Sequence, residues 1–375
     1  MVQRVLFLTV AWAILAAAAC SWDYPIWIPR TKTADPLYRF ERGGKAGYID
    51  QTGKIVIPPA WKVAGNSGSE FHEGLLEVGI RQGRYVDASQ KPAFPEDLYI
   101  GSPFSEGLAV AKRRGQDLWG FIDRSGAFKI QPRYASAPRV FQDGLARIQD
   151  GESFGYIDHG GAVVIRPRFP AAGDFSDGMA RVVLQGPCVY APDGPCGSEN
   201  MTAAGGRLAN APACKFTFID RTGRPIANQK YDDARSFAEG VAPVQKNARW
   251  GFIDKKGTLL IAARFEDAQP FSDGLALVQV NGSYGYIDHQ GKLVIPPWFQ
   301  YADDFSDGLA AVGNEEEGYW YIDKNGQEAI GGRFAAASPF FKGLAHVQLL
   351  DEEEGPTNTF AYIDRSGRQV FRYQR

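Results

Sequence analysis

Read for hydrophobic and polar positions, the chain is a series of short apolar runs cut by Gly, Asp, Asn and Pro. Leu108-Ala109-Val110, Phe121-Ile122 and Ile55-Val56-Ile57 are typical: brief, and rich in β-branched or aromatic residues. Runs of this kind predict strands rather than helices of ten or more residues. Past the N-terminal leader, no segment sustains a helical period.

The runs recur in a fixed order. Phe-x-Asp-Gly-Leu-Ala-x-Val is followed about a dozen residues later by an aromatic-aliphatic-Asp triplet, which appears nine times from Tyr48-Ile49-Asp50 to Tyr362-Ile363-Asp364. From Asp to Asp the steps are 37, 36, 35, 62, 34, 34, 35 and 41 residues. The period is therefore near 35, with an insertion of about 27 residues in the fourth step. Each unit reads as three strands: the Leu-Ala-x-Val run, the triplet run, and an apolar stretch such as Leu293-Val294-Ile295. Units of this size bury their apolar faces against one another.

Eight of the nine triplets place Gly three residues after Asp, and only Asp87 lacks it. Asp first and Gly last is what a type I turn favours: the carboxylate accepts backbone N–H groups and Gly takes positive φ cheaply. The aspartates are thus turn formers rather than acids or ligands. Between units an aromatic, an Ala at plus three and a Phe at plus six recur, as in Phe265, Ala268 and Phe271 or Phe299, Ala302 and Phe305. Large rings with a small residue between them predict the packing seam.

Trp119-Gly120-Phe121-Ile122-Asp123 and Trp250-Gly251-Phe252-Ile253-Asp254, with Phe154-Gly155-Tyr156 and Tyr284-Gly285-Tyr286, resemble the repeats of bacterial WG-repeat proteins. The Ile-x-Pro-x-aromatic elements Ile165 to Phe169 and Ile295 to Phe299, and the Gly-Leu-Ala segments, extend the resemblance across 37–375. It implies a β-rich repeat module of interaction type, with no recognised catalytic residues.

The start of the chain changes the picture of location. Arg4 precedes an uncharged apolar stretch from Val5 to Ala19, closed by small residues and Cys20. This is the layout of an export signal over 1–19. Cys20 resembles a bacterial lipoprotein acylation site, apart from Ala17 where such sites usually carry Leu; a soluble exported protein and an uncleaved anchor are the alternatives. Residues 20–36, with three prolines from Asp23 to Pro36, then form a tether to a repeat domain over 37–375.

The other three cysteines, Cys188, Cys196 and Cys214, all lie in the insertion at about 185–215. Cys188 follows one strand and Cys214 precedes its hairpin partner, so a Cys188–Cys214 disulfide would close the excursion in an oxidising compartment. Cys188 with Cys196 is the alternative pairing, and either leaves an odd thiol. A net charge of −2 from 41 basic and 43 acidic residues offers no excess to neutralise phosphates, which argues against nucleic acid as a partner.

Candidate chemistry adds little. Gly151-Glu152-Ser153-Phe154-Gly155 matches a nucleophile elbow but occupies a hairpin position. His159 and His289 follow turn aspartates and are expected at the surface; His72 and His346 flank strand starts, and no metal spacing joins the four. Glu315 to Glu317 and Asp351 to Glu354 read as solvated loop extensions. No catalytic, cofactor or metal residues are assigned.

The expected fold is all-β: nine three-stranded units in tandem, as an open twisted solenoid in preference to a closed propeller-like ring. The expected function is non-enzymatic, a protein-binding or scaffold module of the cell envelope, lipid-anchored to a membrane. Glycan binding through Trp61, Trp119, Trp250, Trp298 and Trp320 is the alternative, and a hydrolase using paired carboxylates the least favoured. Non-recurring segments are where function would sit: Lys112 to Arg114, Gly68 to Arg84 and, favoured among them, the insertion.

Overall fold

The computed structural model describes residues 36–62, 71–72, 74–78, 84–87, 89–184, 215–226, 229–351 and 355–375. Among them there is no helix, and every strand pair is antiparallel. The strands form eight sheets that follow one another along the chain.

The triplet strand lies inside the sheet in six of the eight, and is the edge strand in the two that hold Arg84–Val86 and Phe216–Asp220. In one sheet Val241–Lys246 pairs with Arg249–Asp254, which pairs with Leu259–Phe265. The Ile-x-x-x-aromatic element is a bulge: Phe252 faces Ile261 and Trp250 faces Phe265, two residues on one strand against four on the other. The bulge presses a carbonyl onto the Gly of each Trp-Gly or Tyr-Gly pair. A Cβ on Gly251 would lie 2.5 Å from Ile261 O, and one on Gly285 2.6 Å from Ile295 O. Only Gly permits that approach. In one unit the bargain is reversed, with Trp320 at the Gly place and Gly331-Gly332 in the facing bulge.

The units depart from three strands because the inter-unit segment contributes a fourth. Asp233–Ala234, Asp267–Ala268 and Tyr301–Ala302 are two-residue strands pairing with the first strand of the unit that follows. In the last part of the chain Glu328–Ala337 runs on to pair with Leu344–Asp351, merging seven strands into one sheet.

All nine turn aspartates act as expected. Each Oδ1 accepts N–H groups two and four residues on, as Asp123 does from Ser125 at 2.9 Å and Ala127 at 3.3 Å. Even Asp87 keeps the geometry, with Gln90 taking the positive φ of the missing Gly, 65°. Hydrogen bonds, that from the Ser125 hydroxyl foremost, hold the Asp123 carboxyl below its ordinary value.

The Asp-Gly pair before Leu-Ala adds a link that the spacing did not reveal. Asp273 and Gly274 both have positive φ, 54° and 86°, the geometry of a type I′ hairpin. The Asp273 carboxylate then accepts the N–H of Gly308 in the next unit at 2.7 Å. The same step runs from Asp143 to Gly178, Asp177 to Gly240, Glu239 to Gly274 and Asp307 to Gly343. Beneath these turns lies the aromatic seam, edge-to-face pairs such as Phe218–Phe237 at 4.7 Å and Tyr286–Phe305 at 4.8 Å.

The two ends meet, which runs against the expected open stack. Tyr38, Phe40 and Ile49 share one core with Leu344, Tyr362 and Tyr373. The Phe40 and Phe371 rings are 4.8 Å apart, the Tyr38 hydroxyl donates to Lys342 O at 2.8 Å, and Arg375 Nε donates to Glu41 at 2.7 Å. An open stack would leave these aromatics in water; burying them against one another removes that cost.

Candidate functional site

Each four-stranded sheet has one more buried and one more exposed edge. The exposed edge is the third strand, where Val163-Val164, Leu259-Leu260 and Leu293-Val294 face solvent. The buried edge carries the short strand and, close to it in sequence, one residue of the inter-unit segment. That residue holds a constant backbone bond: the N–H groups of Arg139, Gly173, Arg235, Gln269 and Asp303 donate to the carbonyls of Arg147, Arg181, Pro243, Leu277 and Ala311. The backbone role recurs while the side chain varies, with Arg at two of the five places and Gly, Gln and Asp at the others. Here the fold presents variable chemistry on a fixed frame.

Two charged clusters result. In the first, Asp174 lies 3.5 Å from Arg139 Nε through one oxygen and 3.5 Å from Arg147 Nε through the other. Arg147 also donates to Ala172 O and stacks over Phe154. In the second, Arg235 binds Asp267 at 2.8 Å and Ala268 O at 2.6 Å while lying 4.6 Å over the Trp250 ring. Asp303 and Asp304 follow the short strand two sheets further on. They keep partial access to solvent, yet burial pushes Asp303 up to about 6. Burial, then the charge of Asp303, pushes Asp304 up to about 7, with Arg235 acting the other way.

Of the residues singled out from sequence, Cys20, Cys188 and Cys214 lie outside the described residues, as does the insertion up to Cys214. So do the leader and nearly all of the tether, and most of Gly68 to Arg84. Lys112, Arg113 and Arg114 are taken up locally, over Trp119, with Asp97 and on Glu96 O. Ser153 sits in a hairpin across from Asp150, as expected, with a strand after it. His159 and His289 are part-exposed but stacked on Phe141 and Phe271, each 3.0 Å from a Glu of the preceding link.

His346 is not at a surface turn. It donates to or accepts from Tyr373 Oη at 2.8 Å, and burial lowers its pKa to about 4. Trp250 is buried and Trp119 and Trp320 pack on cores, whereas Trp298 is 74% exposed. It occupies the place where Arg168 and Arg264 reach to a carbonyl of the next unit's turn, Gly223 O and Gly291 O. Among the described residues, no group of three or more His, Cys, Asp or Glu is arranged to hold a metal ion. Asp303 and Asp304 were missed because nothing in one repeat marks them; aligning Asp174 with Asp304 was the available signal.

Frame and site together define an all-β tandem-repeat protein with variable chemistry at the buried sheet edges. The WG containing repeat matches at 47–78, 119–152, 154–186, 216–250, 250–284, 284–320 and 321–351, and the chain belongs to that family. No curated protein matches it. Among solved structures it is similar to AztD from Citrobacter koseri, at 10% identity over 91% of this chain and 94% of that one, with a TM-score of 0.43. It is also similar to BamB from Moraxella catarrhalis, at 11% identity over 74% and 91%, TM-score 0.39. The computationally designed Ika8 protein gives 13% identity over 72% and 85%, TM-score 0.42.

Proposed function

We propose that this is a non-enzymatic binding protein of a bacterial cell envelope, exported by its leader and held to a membrane by a lipid on Cys20. Its nine units are read as a closed, propeller-like circle, with the buried edges as the inner rim that receives part of another protein. The observation carrying this reading is the division of labour between positions. Recurring residues are spent on turns, links and seams, while the charged residues carried at the buried edges differ in combination from unit to unit, with Arg139, Asp174, Arg235, Asp267, Asp303 and Asp304 foremost. Repeat scaffolds present extended binding faces in this way.

The test is co-purification. Full-length chain, solubilised from membranes and cross-linked, is expected to retain a protein partner that an Arg235→Ala, Asp267→Ala double variant loses. A partner retained equally by both would remove the rim from the reading, and a Cys20→Ser chain still in the membrane fraction would remove the lipid. The second reading, glycan binding, is favoured by the exposed ring of Trp298 alone. It requires that Trp298→Ala reduce pull-down by wall fragments.

A further inference from the structure

The molecule contains its own template for a ligand. Asp174 and Asp304 are equivalent: each follows the residue whose N–H bonds the next unit's first strand and whose carbonyl accepts a tyrosine hydroxyl, Tyr156 to Gly173 at 2.6 Å and Tyr286 to Asp303 at 2.7 Å. The unit before Asp174 answers it with two guanidinium groups, Arg139 and Arg147, each 3.5 Å away. In the unit before Asp304 the same two positions are Gln269 and Leu277, fixed by the equivalent N–H to carbonyl bond. Gln269 turns to Asp267 at 3.3 Å, and Leu277 is buried in the core.

Asp304 is therefore an acid whose internal cations have been removed while its site has been kept. Its Oδ1 is closed off from solvent and has no hydrogen-bond partner among the described residues; Asp174 Oδ1 is in the same state, but its charge is met by two guanidinium groups 3.5 Å away, and that of Asp304 is not met in this way. Arg235, the nearby cation, is engaged by Asp267 and Ala268 O. A buried carboxyl in this state costs free energy unless a donor arrives. The residue as a whole is only part-buried.

We infer that Asp304, with Asp303 beside it, binds the guanidinium group of an arginine side chain presented by a protein partner, in the place that Arg147 occupies against Asp174. The inference rests on the binding-module reading and gives its rim a ligand chemistry. A planar guanidinium matches a carboxylate through paired N–H donors, and a second carboxyl one residue away adds charge. The absence of a three-ligand cluster among the described residues favours this over a divalent metal.

The test is a ligand-observed NMR titration of the full chain with N-acetyl-arginine amide, with the neutral citrulline analogue alongside. Saturable binding of the arginine probe and none of citrulline is expected. Asp304→Asn should weaken it by about tenfold or more, the size of one charge-assisted pair. Leu277→Arg, which restores the internal cation, should abolish it. Equal binding by wild type and Asp304→Asn, or no saturable binding, overturns the inference. If the probe does not bind while the rim variants still lose the partner, the module reading stands and only the guanidinium falls. If the probe binds as expected and no partner is captured, the site stands and the module reading falls.

Discussion

At the scale of single residues, a carboxylate here is either capped or exposed to the cost of burial. Asp303 and Asp304 belong to the second kind, with pKa values pushed up to about 6 and about 7 from 3.8. An acid with a raised folded-state pKa binds its proton more tightly in the fold than in the unfolded chain. Its stabilising contribution is complete below about pH 3.8 and is lost as pH rises through 6 to 7. Asp304→Asn should therefore raise Tm at pH 8, with a gain that shrinks on acidification and is absent at pH 4. Melting both proteins across that range checks it, and a gain that is the same at both ends would contradict the burial argument. His346, lowered to about 4, has the opposite sign and loses its contribution as pH falls below about 6.5, but it is common to both proteins and cancels. The capped aspartates behave otherwise: Asp123→Ala should cost about 1 kcal/mol, read by denaturant unfolding, as turn N–H groups lose their acceptor.

At the scale of elements, the unit is held by close approaches that its two signature residues permit. Gly251→Ala would drive a Cβ to within 2.5 Å of a backbone carbonyl that cannot yield without losing the bulge. Phe237, fully buried on Phe218, is the seam counterpart. Phe237→Ala should cost about 3 to 5 kcal/mol in chemical denaturation, and a loss near 1 kcal/mol would mean that the seam is loosely packed. These parts were legible in the sequence because they repeat: the triplet strands, the Asp turns and the aromatic spacing each announce themselves several times over. The fourth, two-residue strand was not, since Asp267-Ala268 and Tyr301-Ala302 share only the Ala and two residues carry no period. The Asp273 to Gly308 link stayed hidden because a turn sequence specifies its own geometry but not what its side chain reaches in the next unit.

At the scale of the whole molecule, meeting of the ends joins residues far apart in sequence. Arg375 and Glu41 are 334 positions apart and paired. Removing Val370 to Arg375 should raise amide hydrogen exchange in Tyr38–Arg42, because Phe40 loses Phe371 and Tyr373. Unchanged exchange there would mean that the ends do not support one another. No sequence signal pointed to this contact, since Tyr38, Phe40, Phe371 and Tyr373 complement one another only in space. The rim charges escaped for a related reason. Asp303 and Asp304 look like any acidic loop until the fold buries them and shows Leu277 where Arg147 stands against Asp174.

The central claim is that the buried sheet edges form the binding face. The most direct measurement is photo-cross-linking in intact cells, with a photoreactive residue at Gln269 on the buried edge or at Thr258 beside the exposed edge. The account predicts a discrete protein adduct from Gln269 and none from Thr258. An adduct from Thr258 alone would contradict it and place the working surface on the outer strands.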